Sequence, residues 1–118
     1  MKTIELPWPP TANHLTMTVG RRRVKTKKHR EYVAKVRACV FEQKIKSFGS
    51  ERLRISIHAF PPDKRKRDID NLFKAVLDGL SYACVFDDDS QIDRLSIERH
   101  AVEKGGRLLV SIERERFE

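Results

Sequence analysis

The sequence predicts a single α+β domain over residues 1–118, in which a small mixed β-sheet is covered by two helices. In several short stretches apolar residues alternate with polar ones, as in a strand with one buried face. In two longer stretches apolar residues recur every three or four positions, as along one side of a helix. A chain of 118 residues with 39% hydrophobic residues is long enough for one modest core.

The strands follow from period-two alternation. TIELPW places Ile4, Leu6 and Trp8 on one side, and RLRISIHAF is the clearest case. Gly105-Gly106 predicts a hairpin turn between the last two strands. The predicted strands occupy residues 3–8, 52–60, 92–101 and 107–113.

The helices follow from 3.6-residue spacing. The first is predicted over 27–46, with Thr26 as its N-cap and an apolar stripe that includes Phe41. The second begins near Ile69 and carries Asp70 and Lys74 on its polar side. Residues 11–26 show no clean period and predict a basic loop. The predicted order is therefore β-α-β-α-β-β, a single α+β domain.

Positive charge is concentrated in two segments. The chain has a formal net charge of +8. Residues 20–37 hold nine Lys or Arg against one acid, and residues 63–67 hold four against one acid. Such segments bind phosphates with salt-sensitive, sequence-independent affinity, although a solvated helix face is the simpler alternative. The predicted DNA-binding residues are Arg21, Arg22, Arg23, Lys25, Lys27, Lys28, Lys64, Arg65, Lys66 and Arg67.

Negative charge is concentrated in the segment that follows. Residues 68–93 carry seven Asp and one Lys, a composition that repels DNA. Bound divalent cations would allow the acidic segment and the basic segments to contact the same DNA, because Mg²⁺ characteristically bridges carboxylates to substrate phosphates.

The segment RDIDNLFK supplies two carboxylates and a lysine. In a regular helix Asp68 and Asp70 would point about 200° apart, so only an extended or helix-entry conformation lets both face one site. Lys74 stands one turn beyond Asp70, within reach of a phosphate. The alternatives are that either aspartate is an N-cap and that Asp70 and Lys74 form an ordinary i,i+4 pair.

The segment FDDDSQID supplies a third carboxylate, which would complete a site for Mg²⁺-assisted phosphodiester hydrolysis. The three consecutive aspartates are also compatible with a turn. An EF-hand is excluded, since Gln91 replaces a ligand and Ile92 replaces the required glycine. No zinc site is expected, because the four histidines are scattered and none has ligand spacing with a cysteine.

Together these segments resemble the RusA family of Holliday junction resolvases. The resemblance rests on PWPPTAN, RDIDNLFKAVLDGL, DDDSQID and the KGGR that precedes the last strand. It implies a Mg²⁺-dependent endonuclease, with Mn²⁺ as a substitute ion, that acts as a homodimer on four-way junction DNA in recombination and repair. It implies Asp68, Asp70, Lys74 and Asp89 as catalytic residues, and Asp68, Asp70, Asp88 and Asp89 as metal ligands. Arg67 matches a basic position near DNA, and Asn13 matches a recurrent element of unassigned role.

Two other functions compete with this interpretation. One is a non-catalytic DNA-binding accessory or regulatory protein, and the other is a ribonuclease. Cys39 and Cys84 are too few for a disulfide scaffold, which favours a reducing cytoplasm. We expect neither a membrane segment nor a small organic cofactor.

Overall fold

The computed structural model describes residues 1–10 and 16–115, and it confirms the α+β class with a mixed sheet and two helices. Two short 3₁₀ helices, Ile69–Leu72 and Asp89–Gln91, precede α2 and β5. The elements of this described part are β1 (Lys2–Pro7), β2 (Thr16–Val19), β3 (Arg22–Lys25), α1 (Lys27–Glu42), β4 (Leu53–Phe60), α2 (Phe73–Tyr82), β5 (Ile92–Arg99) and β6 (Arg107–Arg114).

The main sheet has the strand order β1-β6-β4-β5. Strand β6 pairs antiparallel with both β1 and β4, whereas β4 and β5 are parallel. Parallel neighbours need a crossover connection, and α2 lies within the segment that joins β4 to β5.

The hairpin predicted at Gly105-Gly106 is wrong. These glycines do connect β5 to β6, but β4 lies between the two strands. The difference follows burial: Leu108, Val110 and Ile112 of β6 are completely buried in the middle of the sheet, whereas most of β5 is exposed and suits an edge.

The basic loop predicted over 11–26 is also wrong in part. Strands β2 and β3 form an antiparallel hairpin, turning at Gly20, whose φ is +62°. The residues of this hairpin are mostly exposed, so no buried face imposes an alternating apolar pattern on the sequence. Residues 11–15, which include Asn13, lie outside the described part.

The core lies between one face of the main sheet and the two helices. Helix α1 begins as predicted, with the Thr26 hydroxyl accepting a hydrogen bond from the His29 amide at 3.2 Å. It ends at Glu42, earlier than predicted, and Phe41 is 86% exposed and not part of the core. Among the buried residues are Ile4, Leu6, Val36, Ile55, Ile57, Val76, Leu80 and Phe86.

No helix within the described residues is long and apolar enough to cross a membrane.

Candidate active site

The Asp68–Asp70 segment leads directly into α2. Asp68 has an extended backbone, with φ −86° and ψ 124°, and its side chain caps nothing. Asp70 lies in the 3₁₀ helix that follows, and both residues are exposed. Within the described part of the chain neither carboxylate has a hydrogen-bond or ion-pair partner. The extended conformation that the sequence predicts for Asp68 is therefore present, and two hard oxygen ligands are free to bind a cation.

Lys74 stands on the first turn of α2, but its partner is not Asp70. Its Nζ lies 3.4 Å from Oδ2 of Asp78, one turn further on. The same carboxylate oxygen lies 3.4 Å from Nε2 of His29, a buried residue of α1. Asp78, which sequence reasoning did not single out, thus contacts both Lys74 and α1.

The Asp87–Asp89 segment is ordered by one buried side chain, Gln91. Its Oε1 accepts hydrogen bonds from the amides of Asp87 and Asp88, and its Nε2 donates to the carbonyls of Gly49 and Glu51. All four bonds are between 2.7 and 3.0 Å. Asp88 and Gln91 have the spacing of a capping box, a local pattern that indicates the bond from Gln91 Oε1 to the Asp88 amide. The two bonds to the carbonyls of Gly49 and Glu51 join distant parts of the chain and have no local signal.

The three consecutive aspartates differ in their surroundings. Asp88 accepts a hydrogen bond from the Ser90 amide at 3.1 Å and caps the 3₁₀ helix. Hydrogen bonds from the Ser90 side chain and backbone hold the pKa of Asp88 below its ordinary value. This is the turn conformation that the sequence left open as an alternative. Asp87 and Asp89 are exposed.

The two acidic segments lie at opposite ends of the parallel strand pair. Arg67 is beside the end of β5, where Arg99 Nη2 donates to its carbonyl, whereas Asp89 precedes the start of β5. Eight strand residues and the ten residues of α2 each span roughly 15–25 Å. Within residues 1–10 and 16–115, no three of the aspartates bring carboxylate oxygens within 4.8 Å of one another. One chain therefore does not gather the predicted ligand set.

The predicted DNA-binding residues fall on two surfaces. The first is the basic hairpin, β2 and β3 with the first turn of α1, where Arg21, Arg22, Arg23, Lys27 and Lys28 are exposed. Lys25 differs from them, because its ammonium contacts the Tyr82 hydroxyl and lies 4.0 Å from the centre of that ring.

The second surface is the loop that precedes Asp68. Lys64, Arg65 and Lys66 are exposed, whereas Arg67 is held by Asp63 at 2.9 Å and lies over the Trp8 ring at 5.6 Å. A backbone hydrogen bond from Arg65, with help from Arg67, keeps the pKa of Asp63 below its ordinary value. Arg67 therefore stabilises the conformation of this loop through its contacts with Asp63 and Trp8.

A cavity of about 240 Å³ opens beside this loop, and Asp68 lies on its wall. Trp8, Leu72, His100 and Val102 also line it. The cavity connects the start of α2 to the end of β5, so the surroundings of Asp68 include residues from both elements.

Two of the four histidines come together, contrary to the scattered arrangement that the sequence indicates. Nδ1 of His58 and Nε2 of His100 are 2.8 Å apart, and Oε2 of Glu98 lies 3.6 Å and 3.7 Å from these nitrogens. In the described part of the chain this is the one group of three ligand atoms within 4.8 Å of each other.

Free carboxylates at a helix start, beside a basic loop, suit a nuclease that uses a divalent metal to cut a phosphodiester backbone. The comparison with protein families agrees with this class. The family model for endodeoxyribonuclease RusA matches residues 7–113, and the chain belongs to that family of nucleases.

Relatives of similar length support the assignment. The chain is 36% identical over 107 residues to the crossover junction endodeoxyribonuclease rusA of Enterobacteria phage HK97, covering 91% of this chain and 89% of the relative. It is 34% identical over 114 residues to crossover junction endodeoxyribonuclease RusA of Escherichia coli strain K12, covering 93% and 92%. The relative of that name in Shigella sonnei is 32% identical.

Proposed function

We propose that this chain is a Mg²⁺-dependent endonuclease that resolves four-way DNA junctions by paired symmetric nicks, in recombination and repair. The observation that carries the proposal is the pair of exposed, unpartnered carboxylates of Asp68 and Asp70 at the start of α2. Relatives named as crossover junction endodeoxyribonucleases supply the substrate class.

The residues present fit a hard divalent cation. Asp68 and Asp70 offer only oxygen ligands, which suits Mg²⁺ or Mn²⁺. When bound, such an ion supplies Lewis-acid stabilisation of the phosphate and activation of a water molecule. Lys74, on the exposed face of α2, offsets negative charge that develops on the phosphate oxygens. Asp78 holds the lysine side chain on this side of the helix.

We infer that Asp88 and Asp89 act at the site of a second chain. Asp88 and Asp89 lie at the far end of β5 from Asp68, so they cannot bind the same ion within one chain in this conformation. A C₂ homodimer in which the start of β5 in one chain lies beside the start of α2 in its partner would provide two active sites, as paired nicks in opposed strands require. We propose that each active site combines Asp68 and Asp70 of one chain with Asp89 of the other.

Subunit mixing tests the shared site. Asp70→Asn and Asp89→Asn homodimers are each expected to be inactive. When equal amounts of the two proteins are mixed and exchange subunits, about a quarter of wild-type single-strand nicking should return, because half of the dimers are heterodimers and each has one of its two sites intact. No recovery, despite heterodimers detected by mass spectrometry, would contradict the shared site but not the nuclease function.

Incision of a labelled synthetic four-way junction tests the function itself. With Mg²⁺ the wild-type protein should make paired symmetric nicks in the junction and leave a linear duplex of the same sequence intact. EDTA and Asp70→Asn should each abolish incision, whereas junction binding by Asp70→Asn should persist or tighten because less negative charge faces the phosphates. Asp93→Asn, which removes a carboxylate paired with Arg52, is the matched control.

Two outcomes would contradict the proposal. Tight binding without incision in any divalent metal would indicate a DNA-binding accessory protein. Incision by Asp70→Asn at the wild-type rate would remove the carboxylate pair from the chemistry.

A further inference from the structure

The cluster of His58, Glu98 and His100 lies on the face of the sheet that the helices leave uncovered. Along β4, Leu53, Ile55, Ile57 and Ala59 face the core, so His58 points the other way. His58 is directly opposite Glu98 in the parallel register. His100 follows β5, two residues beyond Glu98, and its amide donates to the Ala59 carbonyl at 2.8 Å. The sheet backbone therefore fixes the positions of all three residues.

The spacing of the three ligand atoms is close to that of a tetrahedral metal site. Zn–N and Zn–O distances of about 2.0–2.2 Å in tetrahedral geometry place ligand atoms roughly 3.3–3.5 Å apart. The two distances to Glu98 Oε2 are 3.6 Å and 3.7 Å. The two ring nitrogens, at 2.8 Å, need to separate by about half an ångström, which a small rotation of either ring provides.

The chemistry of the pair favours coordination by nitrogen. A hydrogen bond between two imidazole nitrogens leaves one of them unprotonated and able to bind a metal. The other nitrogen becomes a ligand when its proton moves to the second nitrogen of the same ring or is released to water. The His100 ring stacks on Phe60, with centroids 4.9 Å apart and planes 17° from parallel, which restrains its orientation. The side chains of His58 and His100 are 37% and 36% exposed, so an ion can enter from solvent.

We propose that His58, Glu98 and His100 bind one transition-metal ion of the Zn²⁺ class, with a fourth position open to water or an anionic ligand. Two nitrogens and one oxygen select such an ion over Mg²⁺, which prefers oxygen ligands alone. Neither Asp68 nor Asp70 belongs to this group of ligand atoms, although Asp68 and His100 line the same cavity. The bound ion joins the ends of β4 and β5, one residue along the chain from Arg99, whose side chain donates a hydrogen bond to the Arg67 carbonyl.

The test uses the untagged full chain in excess Mg²⁺, so that oxygen-only sites are occupied. Calorimetric titration with Zn²⁺ should show one ion per chain, and Zn²⁺ should raise the Tm because it binds the folded state. Co²⁺ in place of Zn²⁺ should give the visible absorption of a four- or five-coordinate site with nitrogen ligands.

Variants assign the ligands. His58→Gln and His100→Gln should each lower Zn²⁺ affinity by at least about tenfold and remove the rise in Tm, with circular dichroism confirming that each variant is folded. His14→Gln and Glu31→Gln, which remove one residue of each type elsewhere in the chain, should bind Zn²⁺ as the wild type does. Asp70→Asn should lose nuclease activity while keeping Zn²⁺ binding, which separates this proposal from the proposed function.

Three results would overturn the proposal. The first is the absence of Zn²⁺ binding to the folded wild-type chain. The second is unchanged affinity in both histidine variants. The third is loss of Zn²⁺ binding in Asp70→Asn, which would place the ion on the carboxylates of the nuclease site.

Discussion

Two buried polar residues, Gln91 and His29, influence the acidic loop and the basic helix α1. Gln91 is 6% exposed, and its four hydrogen bonds satisfy the whole side-chain amide. His29 is 1% exposed, and neither ring nitrogen has a hydrogen-bond partner among the described residues. The first residue stabilises the loop that carries Asp88 and Asp89, and the second makes the packing of α1 sensitive to protonation.

Burial lowers the pKa of His29 below its ordinary value. The carboxylate of Asp78 opposes this shift, and the ammonium groups of Lys25 and Lys74 add to it. Because the folded state then binds the proton less tightly than the unfolded state, His29 contributes stability above the unfolded pKa of about 6.5 and loses that contribution as the pH falls.

We therefore predict that the free energy of unfolding decreases as the pH is lowered from about 7 to about 5, and that His29→Gln weakens this dependence. Urea titrations in EDTA at several pH values measure the free energy of unfolding of each protein. His58→Gln, which changes a partly exposed histidine, should keep the wild-type pH dependence. An identical slope in wild type and His29→Gln would show that other groups cause the acid sensitivity.

At the scale of elements, α2 packs tightly against α1 at Gly79. A Cβ built at this position would lie 2.8 Å from Cγ2 of Val36 on α1. Val36 is completely buried and Gly79 is buried, so neither an added methyl group nor the Val36 side chain can move into solvent. The glycine is therefore needed for helix packing, although glycine is a poor helix former.

We predict that Gly79→Ala lowers the free energy of unfolding by about 1–3 kcal/mol, despite the gain of about 1 kcal/mol in helix propensity. Val36→Ala should relieve the clash, so the double variant should be more stable than the sum of the two single effects predicts. Denaturant unfolding of the four proteins measures the coupling. Ser81→Ala on the same helix is the control, and a Gly79→Ala protein more stable than wild type would contradict the close approach.

At the scale of the whole molecule, the free carboxylates of Asp68 and Asp70 adjoin one of two exposed basic surfaces. The basic hairpin and the 64–66 loop present cations to solvent, while Asp68 and Asp70 lie beside that loop. Self-repulsion within each surface disfavours the folded state, and binding of a phosphate backbone relieves it on the basic side.

We predict that replacing Arg21, Arg22 and Arg23 by Gln weakens DNA binding equally for all sequences. The slope of log K against log salt should decrease by up to about 0.9 for each phosphate that the variant no longer neutralises. Fluorescence anisotropy on labelled junctions over a range of salt concentrations measures this slope. Replacing Lys2, Lys46 and Lys104 by Gln removes the same charge elsewhere, and equal slopes for the two triple variants would show that net charge alone attracts the DNA.

Much of the candidate site could be predicted from the sequence because its signals are local. The extended backbone at Asp68, the Thr26 cap and the apolar face of β4 each depend on residues a few positions apart. The resemblance to the RusA family is confirmed for the same reason, since it rests on short motifs. The roles assigned to Asp68, Asp70, Lys74 and Asp89 stay predictions.

The sequence by itself determined the α+β class, most strand and helix positions and the family, since periodicity and motifs are properties of neighbouring residues. Only the tertiary structure decided that β6 lies inside the sheet, that Asp89 is far from Asp68, and that His58 and His100 meet at Glu98. These contacts join residues distant in the chain. Which strands become neighbours depends on the burial of every apolar face at once, and no local pattern contains that information.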